Sequence, residues 1–185
     1  YMDDSLTIPT ATSFRTLNVG QLEAERKALN EDLKASPQGG KLSFTHIIAW
    51  AIVKAATAVP SMNTGYDLVD GEPTRLGRDF VNIGLAVDVE RKDGSRSLLV
   101  PVVHGAQAMS FKEFVDAFND LVTRTRDGKV GVDELRGATV SLTNPGGIGT
   151  IASVPRLMPG QGTIIATGSI AFPPGFDRAD KGTLA

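Results

Sequence analysis

The sequence predicts an α+β fold: a two-layer sandwich in which a mixed sheet carries helices on one face. Three observations lead there. Short β-branched runs joined by Asp-Gly pairs point to antiparallel hairpins. Two longer segments have helical spacing and Ser caps. Strands and helices do not alternate as regular βαβ units, so a doubly wound parallel sheet is not expected.

Residues 7 to 17 are rich in β-branched types and read as a strand, with Pro9 near its start or on an edge. Asn18 is placed to cap a helix in which Val19, Leu22, Leu29 and Leu33 recur at helical spacing, and Pro37-Gln38-Gly39-Gly40 ends it. Ser43 caps a second helix whose residues 44 to 59 are apolar nearly all round, so burial is expected; Pro60 stops it. Two hairpins follow. One joins Tyr66–Val69 to Thr74–Leu76 through Asp70-Gly71, and the other joins Phe80–Glu90 to Ser97–Val103 across Asp93-Gly94. Ser110 and Glu113 form a capping box for a helix with Phe111, Phe114, Val115, Phe118, Leu121 and Val122 on one side, closed by Asp127-Gly128. Val130 to Leu135 reads as a turn or short helix, and strands are expected up to Asn144 and over Gly162–Ile170.

Composition narrows the function classes. The 185 residues suit one domain, with 41% hydrophobic and 22% charged residues. Net charge is −2 and no stripe of Lys and Arg interleaves with aromatics, so no nucleic-acid partner is expected. Cysteine is absent, which removes disulfides, thiolate metal sites and a cysteine nucleophile. No His, Cys and carboxylate cluster has ligand spacing, so no metal site is expected. No apolar run reaches membrane-spanning length, and the expected location is the cytoplasm.

Chemistry concentrates in Thr139-Val-Ser-Leu-Thr-Asn-Pro-Gly-Gly-Ile-Gly-Thr150, a strand breaking into a glycine-rich turn. Hydroxyls and amides there are of the kind that hold the oxyanion of an acyl-transfer intermediate. With Pro155-Arg-Leu-Met-Pro-Gly-Gln-Gly162 downstream, the stretch resembles the acyltransferase component of 2-oxoacid dehydrogenase complexes. Ile8–Phe14, Lys41–His46 with the helix after it, Phe80–Asp88 with Ser97–Val103, and Arg126–Lys129 follow in that family's order. Met158-Pro159-Gly160-Gln161 stands where stand-alone enzymes carry two prolines before Gln, and is more like the domain fused in actinobacterial 2-oxoglutarate dehydrogenases.

The resemblance implies a chloramphenicol-acetyltransferase-like fold and a homotrimer. It implies transfer of a succinyl group between a dihydrolipoyl carrier domain and coenzyme A, beside the dehydrogenase components. Thiamine diphosphate and Mg would belong only to a fused decarboxylase part. Thr143 takes the hydroxyl position of the motif and is the expected catalytic residue; Asn144 and Ser141 are substrate-binding candidates. Taken alone, each has an ordinary reading: strand packing for Thr143 and Ser141, a turn residue for Asn144. The family's general base is a histidine in a His-Arg-x-x-Asp/Gln-Gly-like motif. His46 and His104 lack that context and read as structural or surface residues, so the base is expected beyond Ala185, in a domain truncated at both ends. Two other readings follow: a non-catalytic trimeric assembly module, or an unrelated ligand-binding domain.

Overall fold

A computed structural model describes residues 3–36, 39–90 and 93–172. Three helices are α1 (Gly20–Ala35), α2 (Phe44–Ala58) and α3 (Phe111–Arg126). Eight short strands are β1 (Gly65–Val69), β2 (Glu72–Leu76), β3 (Ile83–Leu85), β4 (Val87–Glu90), β5 (Arg96–Leu99), β6 (Val102–Val103), β7 (Val140–Thr143) and β8 (Thr163–Ala166).

The central sheet runs β6-β3-β7-β8 and is mixed: β3 pairs antiparallel with β6 and parallel with β7, and β7 is parallel to β8. Hairpins β1-β2 and β4-β5 form separate two-stranded sheets. Ile83 and Leu85 of β3 and Val140 and Leu142 of β7 enter one core with Ala49, Ile52, Val53 and Ala56 of α2 and Phe114, Phe118 and Leu121 of α3. Side chains alternate along a strand, so these alternate positions place α2 and α3 on one face of the sheet. The two-layer α+β expectation holds.

Local signals positioned the two core helices. Ser43 accepts from the His46 backbone N–H, and His46 Nδ1 accepts from Ser43 N–H at 3.1 Å, a complete capping box. Ser110 and Glu113 form the other box. Asp70 takes the left-handed conformation before Gly71 in the β1-β2 turn.

Four expectations need correcting in detail. Residues 7 to 17 form no strand: a 3-10 turn covers Asp4–Thr7, and the chain from Ile8 to Asn18 is irregular and mostly exposed, without a ladder partner among the described residues. β-prone composition does not make a strand where no edge is offered. Val19 is the cap of α1, while Asn18 Oδ1 accepts from Gly20 N–H at 2.9 Å. The second hairpin is broken at Ala86, whose N–H goes to Leu142 instead, so its halves serve two sheets. The last strand is confined to Thr163–Ala166. Pro37 and Gln38, expected to end α1, lie outside the described residues, as does the chain after Phe172.

Candidate active site

Three hydroxyls, Thr139 just ahead of β7 and Ser141 and Thr143 on it, follow one another on the side away from α2 and α3. Thr139 is buried and satisfied: its Oγ1 accepts from Asn82 N–H at 3.1 Å and donates to Asn82 C=O at 3.3 Å. Ser141 is also buried, at 2% exposure, but its Oγ has no hydrogen-bond partner among the described residues. Thr143 ends the strand half-buried, and no side-chain hydrogen bond of its hydroxyl occurs among the described residues. Satisfaction therefore falls and access rises toward the glycine-rich loop.

Packing explains the gradient. Ser141 pairs with Gly84 across the parallel β3-β7 ladder. A Cβ at Gly84 would stand 2.7 Å from Ser141 Oγ and 2.9 Å from Val100 Cγ1. Only glycine leaves room for the hydroxyl, and Val100 closes the space above it. Beyond Thr143 the cover ends. The chain turns through a 3-10 segment at Pro145–Ile148, and Gly149 adopts the left-handed conformation that lets Thr150 N–H reach Pro145 C=O. Thr143 C=O accepts from Thr167 N–H at 3.0 Å and Thr150 C=O from Ser169 N–H at 2.8 Å, so the segment after β8 holds the loop from both sides.

Asn144 is not merely a turn residue. Its Nδ2 donates to Thr45 Oγ1 at 2.9 Å, tying the loop to the first turn of α2. The partners lie 99 residues apart, and the sequence reading missed Thr45. It also missed Asn82, which besides holding Thr139 accepts from Gly105 N–H and donates to Gly137 C=O. Those bonds fix the approach to β7 against the end of β6. The Pro155–Gly162 motif does not join the hydroxyl row. Gly162 N–H bonds Thr139 C=O at 2.8 Å and Thr163 Oγ1 donates to Met62 C=O, which seats β8 beside β7. Buried Gln161 lines a small cavity of about 160 Å³ with Ile8, Pro9 and Tyr66.

Neither histidine stands as a base beside Thr143. His46 is buried, packs edge-on against Phe118 with ring centroids 4.5 Å apart, and completes the α2 cap. Burial lowers its pKa, opposed in part by a hydrogen bond with Asn119. His104 sits in the turn after β6, with its ring against Gly137. No cluster of metal-ligating side chains exists among the described residues, and none of their helices is long and apolar enough to cross a membrane. Four acidic residues of α1 and α3 form ion pairs on the solvent face: Glu23 pairs with Lys27, Glu31 with Lys34, Asp116 with Lys112 and Asp120 with Arg124. A two-pronged clasp joins α3 to the turn before β7, where Arg124 holds Glu134 at 2.6 and 2.8 Å and keeps its pKa down to about 2.

Comparison with known proteins matches this architecture. The family model of the 2-oxoacid dehydrogenases acyltransferase (catalytic domain) covers residues 1–181. The 2-oxoglutarate dehydrogenase E1/E2 component of Corynebacterium glutamicum is 50% identical over 184 residues, covering 100% of this chain and 15% of that protein. The multifunctional 2-oxoglutarate metabolism enzyme of Mycobacterium sp. (strain JLS) is 45% identical, again over 100% of this chain and 14% of its own length. The chain thus spans a small part of these relatives. Among solved structures, Azotobacter vinelandii dihydrolipoamide acetyltransferase (E2p) superposes with a TM-score of 0.78 at 26% identity, over 95% of this chain and 69% of that one. That structure accompanies crystallographic and enzymatic work on the roles of a serine, a histidine and an asparagine in its catalytic mechanism. The probable dihydrolipoamide acetyltransferase of Listeria monocytogenes, at 24% identity and a TM-score of 0.70 over 83% of this chain and 61% of its own, shares the fold.

Proposed function

The chain belongs to the acyltransferase catalytic-domain family of the 2-oxoacid dehydrogenases, and from that premise we propose that it moves a succinyl group between a dihydrolipoyl carrier and coenzyme A. The succinyl choice rests on the 2-oxoglutarate enzymes among its relatives. In the forward direction, the thiol of coenzyme A loses its proton to a general base and the thiolate adds to the carbonyl carbon of the succinyl-dihydrolipoyl thioester. The carbonyl oxygen becomes an oxyanion, which collapses to expel the dihydrolipoyl sulfur; that sulfur regains a proton.

Thr143 is the donor to that oxyanion. The observation carrying this role is the free, accessible hydroxyl at the end of a row whose inner members are buried, above a loop pinned by Asn144 to Thr45. Asn144 positions the loop, and Ser141 lies too deep to touch substrate without rearrangement. The base comes from outside these residues. Neither histidine is free for the role: His46 completes the α2 cap against Phe118, and the His104 ring lies against Gly137. Thiamine diphosphate and Mg belong to a decarboxylating part elsewhere in the polypeptide.

The assembly reading is supported by a specific surface. Ile148 and Ile151 are 86% and 84% exposed on the loop beside Thr143, with Val154, Ile170 and Phe172 also exposed. An apolar surface of that kind favours burial against a neighbouring copy, and a trimer that also carries chemistry reconciles both readings.

The test is succinyl transfer from succinyl-coenzyme A to dihydrolipoamide. A thiol with a pKa near 8.5 is only a few per cent ionised at neutral pH, and a positioned base contributes about 10²–10⁴-fold. The 185 residues alone should be inactive, and a polypeptide extended past Ala185 active. Equal activity would overturn the base assignment and return attention to His46 and His104.

A further inference from the structure

The cavity beside Gln161 lies at the far end of β7 from the Thr143 loop, where Gly162 N–H meets Thr139 C=O. Ile8, Pro9 and Leu157 give it an apolar side, and Thr64, Gly65 and Gln161 a polar one. Its volume of about 160 Å³ suits a molecule the size of benzene, which fills an apolar cavity of about 150 Å³.

Close backbone packing builds the polar side. The turn from Met158 closes through Gln161 N–H to Met158 C=O at 3.1 Å, with Gly160 in the left-handed conformation at its third position. A Cβ on Gly65 would stand 2.7 Å from Gly160 C=O, and one on Gly162 would stand 2.5 Å from Met62 C=O, so only glycine permits either approach. Gln161 is held between these contacts. It is 8% exposed, and its Oε1 is buried without a hydrogen-bond partner among the described residues. A preformed wall thus carries an amide with unused bonding capacity, which is costly to keep.

Two guanidinium groups stand at the rim. That of Arg78 packs on Gly65, where an added Cβ would lie 2.7 Å from its Nη1. Its Nη1 donates to Asn63 C=O at 3.4 Å, and Arg75 Nη2 donates to Thr64 Oγ1 at 3.5 Å. Both contacts are longer than the usual range of about 2.7–3.2 Å. Neither arginine pairs with a carboxylate among the described residues, although Asp79 follows Arg78 and Asp67 lies on β1 beside β2. Charge and donors are therefore in place and hardly engaged.

We propose that this cavity binds a short-chain carboxylate bearing a hydroxyl at its other end. The carboxylate meets Arg78, whose planar fork offers paired N–H bonds to two oxygens, with Arg75 as a second cation. The carbon chain lies against Ile8, Pro9 and Leu157. The hydroxyl, which both donates and accepts, pairs with the Gln161 amide and answers its unmet Oε1. A second carboxylate in that inner position would lose its water with no cation to meet it, so a dicarboxylate is disfavoured. The site is independent of acyl transfer, since none of its residues touches the Thr143 loop.

Binding to the purified protein is measured by NMR titration at low ionic strength with γ-hydroxybutyrate, butyrate, succinate and butanediol, beside thermal melts of every variant. γ-Hydroxybutyrate should bind at least about fivefold tighter than each of the other three, and should weaken as salt rises. Arg78→Gln should weaken it about tenfold and Arg75→Gln about threefold, with melting temperatures held. Gln161→Leu should reverse the preference, weakening γ-hydroxybutyrate about fivefold and tightening butyrate, because an apolar wall suits an apolar tail. Misfolding cannot produce that gain. No saturable binding, an affinity unmoved by Arg78→Gln, or a preference unchanged in Gln161→Leu overturns the site.

Discussion

The two faces of β7 do opposite work with adjacent residues. Val140 and Leu142 point under α2 and α3 into a dry apolar core. Thr139, just ahead of the strand, and Ser141 and Thr143 point the other way; among the described residues, side-chain hydrogen bonding is complete at the first and absent at the second, and the third is left open to solvent. One face is stabilised by area removed from water. The other holds polar groups at a cost, and keeps one of them available. The difference teaches where stability and chemistry separate in this fold: at successive side chains on a single strand, not in separate domains.

The sharpest break in that comparison is Leu142→Ala. Truncating a fully buried leucine usually costs about 2–5 kcal/mol, from lost transfer energy and the cavity left behind. Urea denaturation should show a loss in that range. A loss below about 1 kcal/mol would mean that the core face is less tightly packed than its burial indicates.

Thr143→Val should have the reverse signature. It preserves shape and β-branching while removing the hydroxyl. In a transferase-active form of the protein, turnover should fall at least about tenfold, since one oxyanion donor is commonly worth about 10²–10³. The melting temperature should barely move, because the lost group has no hydrogen-bond partner among the described residues. Unchanged turnover, or a loss matched by unfolding, would make Thr143 a strand residue only.

His46 tests whether the helix-side histidine is chemistry or scaffolding. His46→Ala removes an N-terminal cap acceptor and an aromatic contact with Phe118, together about 1–2 kcal/mol. His46→Gln restores an acceptor at the same helical position and should recover part of that loss. The pH dependence has a definite sign. Burial lowers the folded-state pKa below 6.5, so the unfolded chain takes up the proton first. The stability this group contributes is present above about pH 6.5 and is lost as pH falls toward the lowered folded value. Between pH 7 and 5 the native protein should lose more stability than His46→Gln. Parallel curves would remove the buried imidazole from the account.

What the sequence made legible was local. Ser43, Ser110 with Glu113, and Asp70-Gly71 each act within a few residues, and each element they predict is present. The Ile8–Phe14 run failed as a strand because pairing needs an edge supplied by distant chain, and composition carries no record of that edge. The same limit hid most of the site. Motif order located Thr143, but the Asn144–Thr45 bond and the Asn82 bonds to Thr139 and Gly137 span 55 to 99 residues. The lack of a partner at Ser141 is a property of Gly84 and Val100 overhead, not of the strand that carries it.

Ser141→Ala carries the smallest expected effect and the most diagnostic sign. On the core face, truncation removes favourable contacts and destabilises. At Ser141 it removes an oxygen that was desolvated on folding and received no hydrogen bond in return among the described residues. An unsatisfied buried polar group costs about 1–3 kcal/mol, whereas the gap left by one oxygen forfeits only a few contacts of about 0.1–0.2 kcal/mol each. The balance favours alanine, so denaturation should show unchanged or higher stability, by up to about 1 kcal/mol, with turnover retained. A clear destabilisation would mean that Ser141 has a partner, an internal water or a substrate group, and would restore it as a binding residue. Loss of turnover at unchanged stability would assign that partner to the reaction and extend the catalytic row inward from Thr143.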